Sequence, residues 1–583
     1  MVNNNIIEVD CLRFRYANSE KFALNGVSFK VRRGEFFTIM GQNGAGKTTL
    51  ALCLAGVIPH YIEGEFEGKV FVDGIDVASH TIPEATTKLG LILQDPEDQI
   101  IGVTVRDDVA FGPCNLGLSK EVVLERVKNA LKMVRLDGYE DRETFALSGG
   151  EKQRLAIAGI LALGSNIIVA DEPTSQLDPV GKKEVFETLL QLNKEGKTII
   201  MITHETDWAM KYSHRIGILS SGRLIAIGSP KEILSKLGID GLTRYGIRPP
   251  QIPHLFYKLS QKGVILEDPS TWLNVEEATY RLSKLIAKSL PKDVLPLKPL
   301  NKRDKHYEER AIVVEDLWHI YPNGIKALKG ISLQVYKGEF VAIVGQNGSG
   351  KTTLVKHFNG LLKPTNGNVY VFGINTKNVT VSALSKFVGY VFQNPDNQLF
   401  ASSVKEEIAF GPKNLGYSQD EVEKMVEQAL DFVGLKGLEN EHPFHLSKAE
   451  RQLVAFASVI AMKPKVIVVD EPTTGQDWAG TYKIMNMLKK LNEEDHTVIV
   501  VTHDMNIVAE YAERVIVLHG GRILTEGETR KIFYEIENLS QAYIEPPPIV
   551  LLINYLKEYG VPPGILTVEE AATELYKRIK GES

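Results

Sequence analysis

The segment GQNGAGKTT at 41–49 returns almost letter for letter as GQNGSGKTT at 345–353. Each copy fits G-x-x-x-x-G-K-[ST], a glycine-rich loop whose backbone N–H groups wrap phosphate oxygens. Such a loop joins a strand to a helix whose positive end faces the phosphate, so two copies constrain the fold strongly. FFTIM (36–40) and FVAIV (340–344) run straight into the glycines, and TTLALCLAG and TTLVKHFNG follow as predicted helices. NIIVADEP (166–173) and KVIVVDEP (465–472) are short apolar strands ending in carboxylates, while KTIIMITH (197–204) and HTVIVVTH (496–503) end in histidine. Runs apolar on both faces predict an α/β fold, a parallel sheet covered by helices with its chemistry at the strands' carboxyl ends.

The repeat extends far past the loops. Ser148 precedes Asp171 by 23 residues, as Ser447 precedes Asp470; Asp171 precedes His204 by 33, as Asp470 precedes His503. Matching offsets over that distance mean a duplicated domain. A weaker repeat follows each copy: GIRPPQIPHLFYKLSQKGV (246–264) resembles YIEPPPIVLLINYLKEYGV (543–561), and NVEEATYRL parallels TVEEAATEL. In the second tail Val568, Ala571, Leu575 and Ile579 form one apolar helical stripe, predicted to dock inside the protein. PKDVLPLKPLNKRDKHYEER (291–310), rich in proline and mixed charge, reads as a solvated linker.

The length of 583 residues suits roughly four domains. No apolar run approaches the roughly 20 residues of a spanning helix, and the N-terminus lacks the basic-then-apolar pattern of a secretion leader. The net charge of −6 argues against general nucleic-acid binding. Cys11, Cys53 and Cys114 match no zinc or disulfide spacing and are expected to be reduced and mostly buried, in a cytosolic protein.

The residue types assign the chemistry. Lys47 and Lys351 suit a place between β- and γ-phosphates, and Thr48 and Thr352 offer hydroxyls to Mg²⁺. Asp171 and Asp470 suit the metal's water shell, since Mg²⁺ prefers oxygen ligands and retains waters. Glu172 and Glu471 are placed to orient or deprotonate the attacking water. His204 and His503 stand where the γ-phosphate would lie and are read as contacts that report its presence.

LSGGEKQR (147–154), shortly before the Asp-Glu strand, resembles the signature segment of ABC ATPases. Gln94 and Gln393 match that family's Q-loop, which also places them near the metal, and SQLD (175–178) and TGQD (474–477) sit where its D-loop falls. Tyr16 and Tyr321 match the aromatic residue that stacks on adenine. The resemblance implies two tandem cassettes, each a P-loop core with mixed sheet plus helical subdomain, followed by a small helical C-terminal extension. The boundaries expected are 1–240, 241–290 for the first extension, 291–310 for the linker, 311–540 and 541–583. The ATP-binding set it implies is Tyr16, Gly41, Asn43, Gly44, Gly46, Lys47, Thr48 and Thr49 with the signature residues Ser148, Gly149 and Gly150. In the second copy it is Tyr321, Gly345, Asn347, Gly348, Gly350, Lys351, Thr352 and Thr353 with Ser447.

A narrower resemblance rests on QDPEDQI…VTVRDDVAFGPCNLG (94–117) and QNPDNQLF…SSVKEEIAFGPKNLG (393–416), which look like the ATPases of energy-coupling-factor transporters. It implies a motor on the cytoplasmic face of the cell membrane, partnered by a transmembrane scaffold and a membrane-embedded substrate-capture subunit. The cargo it implies is a vitamin, its precursor, or a cobalt or nickel ion. A soluble twin-cassette switch on ribosomes is the rival reading, but neither a cysteine-rich extension nor a long charged helical linker is present.

In ABC ATPases each ATP is shared between one cassette's loop and the other's signature. The second signature here reads LSKAERQL (446–453), with Lys448 and Ala449 in place of Gly149 and Gly150, and Leu453 in place of Arg154. A Cβ limits approach to a phosphate. The expectation is that the Glu471 site, facing LSGGE, hydrolyses well, and that the Glu172 site, facing LSKAE, hydrolyses slowly or mainly holds ATP.

Overall fold

The computed structural model describes residues 4–175, 177–264, 273–287, 307–473 and 476–580. The chain divides into two compact units, 1–278 and 279–583. The central sheet of the first unit has six strands in the order Arg223–Gly228, Arg215–Ser220, Phe36–Met40, Thr198–Ile202, Ile167–Asp171 and Leu89–Ile92. All neighbours are parallel except Arg223–Gly228. Every residue of Phe36–Met40, Ile167–Asp171 and Thr198–Ile202 is buried, as their unbroken apolar runs require. A four-stranded antiparallel sheet of Leu24–Arg32, Asn5–Tyr16, Gly64–Val72 and Ile75–Asp76 shares one core with this sheet. The second core packs the same sheet against helices Val105–Asn115, Lys120–Met133 and Gly149–Leu163.

The second unit repeats the plan. Its sheet runs Val388–Val391, Val466–Asp470, Thr497–Val501, Phe340–Gly345, Arg514–His519 and Arg522–Glu528, with the last strand antiparallel. Its helices are Val404–Asn414, Gln419–Val433 and Lys448–Ile460. One glycine per unit sets the distance between the signature helix and the outer strand. A Cβ on Gly90 would stand 2.0 Å from Ile160 Cγ2, and one on Gly389 2.4 Å from Val459 Cγ1. Bulk there would push the helix off the sheet, at a cost of about 1–3 kcal/mol.

Helices Gln251–Gln261 and Val275–Ala287 follow the first cassette; Ile536–Gln541, Pro548–Leu556 and Val568–Lys580 follow the second. In the last helix Ala571 and Leu575 are buried and Val568 and Ile579 half-buried, so the stripe faces protein. Arg530 ties this extension to its cassette through Glu570 at 2.5 Å, and the Tyr534 hydroxyl donates to the Ile565 carbonyl at 2.8 Å. Most of the expected linker, through residue 306, lies outside the described residues. Two expectations need correction. Cys53 is buried, but Cys11 and Cys114 are exposed, because their side chains fall on solvent-facing positions of a strand and a helix; all three are free. The histidine strands end at Ile202 and Val501, so His204 and His503 stand two residues beyond the sheet, in the turns before the next helices.

Candidate active site

Strand order decides what meets at the carboxyl edge. The strand that leads to His204 lies between the loop strand Phe36–Met40 and the acid strand Ile167–Asp171, with the strand that leads to Gln94 beyond. Register pairs Asp171 with Ile202 and Ile39 with Ile202, so loop, histidine and acid pair emerge side by side. The second unit has the same order around His503.

The loops themselves are tightly built. A Cβ on Gly41 would meet the Leu219 carbonyl oxygen at 2.1 Å, and one on Gly345 the Leu518 oxygen at 2.2 Å, so only glycine lets loop and sheet touch. Gly44, Gly46, Gly348 and Gly350 all take positive φ, between 73° and 102°. Helices start at Lys47 and Lys351, so the positive end of each helix faces its loop. Lys47 Nζ donates to the carbonyls of Gly41 and Gln42 at 2.8 and 3.0 Å; Lys351 does the same to Gly345 and Gln346 at 2.8 and 2.9 Å. The ammonium groups are thus held in the concavity by backbone oxygens that a phosphate can displace. Tyr16 and Tyr321 lie beside the loop helices, each hydroxyl 3.0 Å from the hydroxyl of Thr49 or Thr353.

Burial pushes the Asp171 and Asp470 carboxyls up, with the Thr48 and Thr352 hydroxyls pulling against it, while Asp470 Oδ1 is buried without a hydrogen-bond partner. Hydroxyl, carboxylate and an unsatisfied oxygen form a donor set that fits a hard cation retaining part of its water shell. Glu172 and Glu471 are the turn residues after their strands, at φ 47° and 49°. His204 Nε2 lies 3.1 Å from Glu172 Oε1, 3.2 Å from Asn43 Oδ1 and 3.4 Å from Lys47 Nζ. His503 instead turns Nδ1 to within 2.8 Å of Glu471 Oε2.

The two glutamates differ in electrostatic setting. Burial drives the Glu172 carboxyl up to about 8 against the pull of Lys47, and burial with Lys47 pushes the His204 imidazole down to about 3. Burial also opposes ionisation of Glu471, but His503 and Lys351 outweigh it and hold that carboxyl below the usual glutamate range.

Gln94 and Gln393 are exposed, and Gln94 Nε2 donates to Ser175 Oγ at 3.3 Å. A cavity of about 230 Å³ opens between Gln94, Glu97, Gly149, Lys152 and Leu177, joining the glutamine segment to the signature. Ser148 and Ser447 cap the signature helices, and Glu151 and Glu450 reach back to their N–H groups at 2.7 and 2.9 Å. This S-x-x-E capping box is legible in the sequence as LSGGE and LSKAE. It also explains why Lys448 and Ala449 leave the helix start intact. Gly149 and Gly150 follow the cap, with Gly149 exposed and Gly150 packed on Gly181. Arg154 pairs with Glu184 at 3.2 Å; Leu453 and Lys483 stand at the matching positions. In the D-loop segments Gln176, Thr474 and Gly475 lie outside the described residues, while Asp178 and Asp477 cap the helices that follow.

Two features of the second unit escaped sequence reasoning. Tyr390 donates to Asp470 Oδ2 at 2.8 Å where the first unit has Leu91. Buried His319 and His357 lie 3.1 Å apart behind the loop helix where the first unit has Phe14 and Cys53.

A phosphate loop and acid pair on one sheet edge, with a capped signature helix in the same unit, define a nucleotide-hydrolysing cassette, present twice. Residues 24–175 and 328–474 match the ABC transporter family. An ABC transporter ATP-binding protein by name from Caldanaerobacter subterraneus subsp. tengcongensis is 44% identical over 97% of this chain and 98% of its own length. Another so named, from Methanosarcina acetivorans, is 38% identical over 98% and 94%. Among solved structures, cbiO1 from Clostridium perfringens, described as part of the ABC transporter complex cbiONQ, is 37% identical. It covers 43% of this chain and 100% of its own, with a TM-score of 0.37. The chain belongs to the ABC transporter ATP-binding family: it is an ATPase of two fused cassettes that binds ATP with Mg²⁺. Among the described residues no helix is long and apolar enough to cross a membrane.

Proposed function

We propose that this chain is the ATP-driven motor of an importer of the energy-coupling-factor type, placed on the cytoplasmic face of the membrane. A transmembrane scaffold and a membrane-embedded capture subunit would complete it. The observation that carries this reading is a set of apolar side chains exposed at matching positions of both units, in the segments that follow Gln94 and Gln393. Ile101, Phe111 and Phe145 are 60%, 51% and 72% exposed in the first unit; Phe400, Phe410 and Phe444 are 62%, 50% and 46% exposed in the second. Large aromatics exposed in register twice mark an interaction surface. Phe111 and Phe410 belong to the AFGP segments whose resemblance implies a groove for membrane-subunit helices. The extensions at 241–290 and 541–583 are read as partner-contacting elements of the same assembly. The cargo is a vitamin or vitamin precursor in preference to a metal ion, and touches the capture subunit rather than this chain.

In this reading the loop N–H groups and Lys47 or Lys351 seat the β- and γ-phosphates, with Tyr16 or Tyr321 against the adenine. Bound Mg²⁺ supplies neutralisation of the phosphate oxygens, and Thr48 with Asp171, or Thr352 with Asp470, are the residues that hold it. Glu471 accepts the proton of the attacking water, and His503 contacts the γ-phosphate until hydrolysis removes that contact. Gln94 and Gln393 link this change to the apolar patches. The unequal signatures make the Glu471 site the faster one. Affinity purification of the tagged chain from detergent-solubilised native membranes tests the reading. A polytopic subunit and a small membrane protein should co-purify, and Phe111→Asp with Phe410→Asp should release them while ATP binding persists. Ribosomal proteins in their place would overturn it.

A further inference from the structure

Tyr390 sits on the strand Val388–Val391, beside the acid strand, where it pairs with Val468. From there its phenol reaches the end of the neighbouring strand and donates to Asp470 Oδ2 at 2.8 Å. Donor and acceptor are buried, at 7% and 2% exposure, and the tyrosine ring is braced edge-on against Phe392 at 4.8 Å between centroids. A braced phenol has little freedom, so the hydrogen bond fixes the carboxylate's torsion as well as satisfying one oxygen. The other oxygen, Oδ1, is buried without a partner and is left as the free acceptor. The first unit lacks this device. Leu91 occupies the matching place, pairing with Val169, and it offers Asp171 no phenol to orient it.

A carboxylate that holds a metal through water must present a lone pair in one direction. The partners of such groups orient them and tune the metal site. We propose that Tyr390 is a positioning residue that fixes Asp470 for the metal's water shell, giving the second cassette tighter divalent-metal binding than the first. The proposal rests on reading Asp470 as the metal-side carboxylate. The ring is wanted for packing and the hydroxyl for orientation, so Tyr390→Phe separates the two.

The test is Mn²⁺ titration of the ATP-loaded full chain, followed by electron paramagnetic resonance, in a Lys47→Ala background that leaves the second site to report. Tyr390→Phe should weaken Mn²⁺ binding about tenfold, the low end for loss of an outer-shell hydrogen bond, with metal-free ATP affinity unchanged. Tyr390→Leu, which copies the first unit, should show at least the same loss. Unchanged Mn²⁺ affinity in Tyr390→Phe overturns the proposal, as does an equal loss in metal-free ATP affinity, which would mark a structural role. Asp470→Asn serves as the check on the underlying assignment. If it leaves Mn²⁺ affinity intact, Asp470 is not the metal-side group and the proposal falls with it.

Discussion

The histidine pair behind the second phosphate loop makes acid stability a local property. His357 Nδ1 donates to the Thr353 carbonyl at 2.7 Å, and Nε2 lies 3.1 Å from His319 Nδ1 as its acceptor. A proton added to Nε2 would face another donor. Burial above all pushes the His357 imidazole down to about 4, against the bond to Thr353 and with help from His319. The folded state then takes up this proton only near pH 4, whereas the unfolded chain does so near 6.5. Between those values the unfolded chain binds more protons, so stability falls as pH drops through the window. At about 1.4 kcal/mol per pKa unit, going from pH 7 to pH 4.5 removes about 2 kcal/mol on this account alone. His357→Cys, which restores the residue of the first unit, should abolish that increment; adding His319→Phe completes the copy. The assay is urea unfolding of the intact chain at both pH values, read by hydrogen exchange in peptides covering 351–358. The cavity left by the smaller side chain lowers stability at both pH values and cancels in the difference. If wild type and His357→Cys lose the same stability between pH 7 and pH 4.5, the pair does not carry this cost and the reasoning is refuted.

Gly41→Ala should eliminate nucleotide binding at the first loop, because its Cβ would stand 2.1 Å from a backbone oxygen; fluorescent-ATP titration should then find one site instead of two. Ser148→Ala removes the cap of the signature helix and should cost about 1 kcal/mol, whereas Ser148→Gly should cost only a few tenths; urea denaturation separates them. Glu471→Gln should abolish most ATP turnover and Glu172→Gln much less, and equally severe losses in steady-state phosphate release would end the asymmetric reading.

Much of the site was legible because its chemistry is carried by neighbours in sequence. Lys47 and Thr48 follow their glycines directly, Glu172 follows Asp171, and Glu151 caps at a fixed three-residue distance from Ser148. The positions of His204 and His503 were legible too, although the turns that carry them begin two residues past the strands. Exposure was harder to read. Cys11 and Cys114 looked like core residues by type, and Phe111 and Phe410 look equally apolar, yet all four face solvent.

The sequence by itself determined the duplication, the phosphate loops, the acid pairs and the unequal signatures, because backbone groups must follow one another to surround a phosphate. Only the tertiary structure decided that Tyr390, 80 residues from Asp470, orients its carboxylate, and that His319 and His357, 38 residues apart, share a hydrogen bond. It also brought His204 between loop and acid pair, though its strand comes after both in the chain. These contacts depend on which strands lie side by side. Strand order is set by packing the whole sheet, and no single segment of the chain carries it.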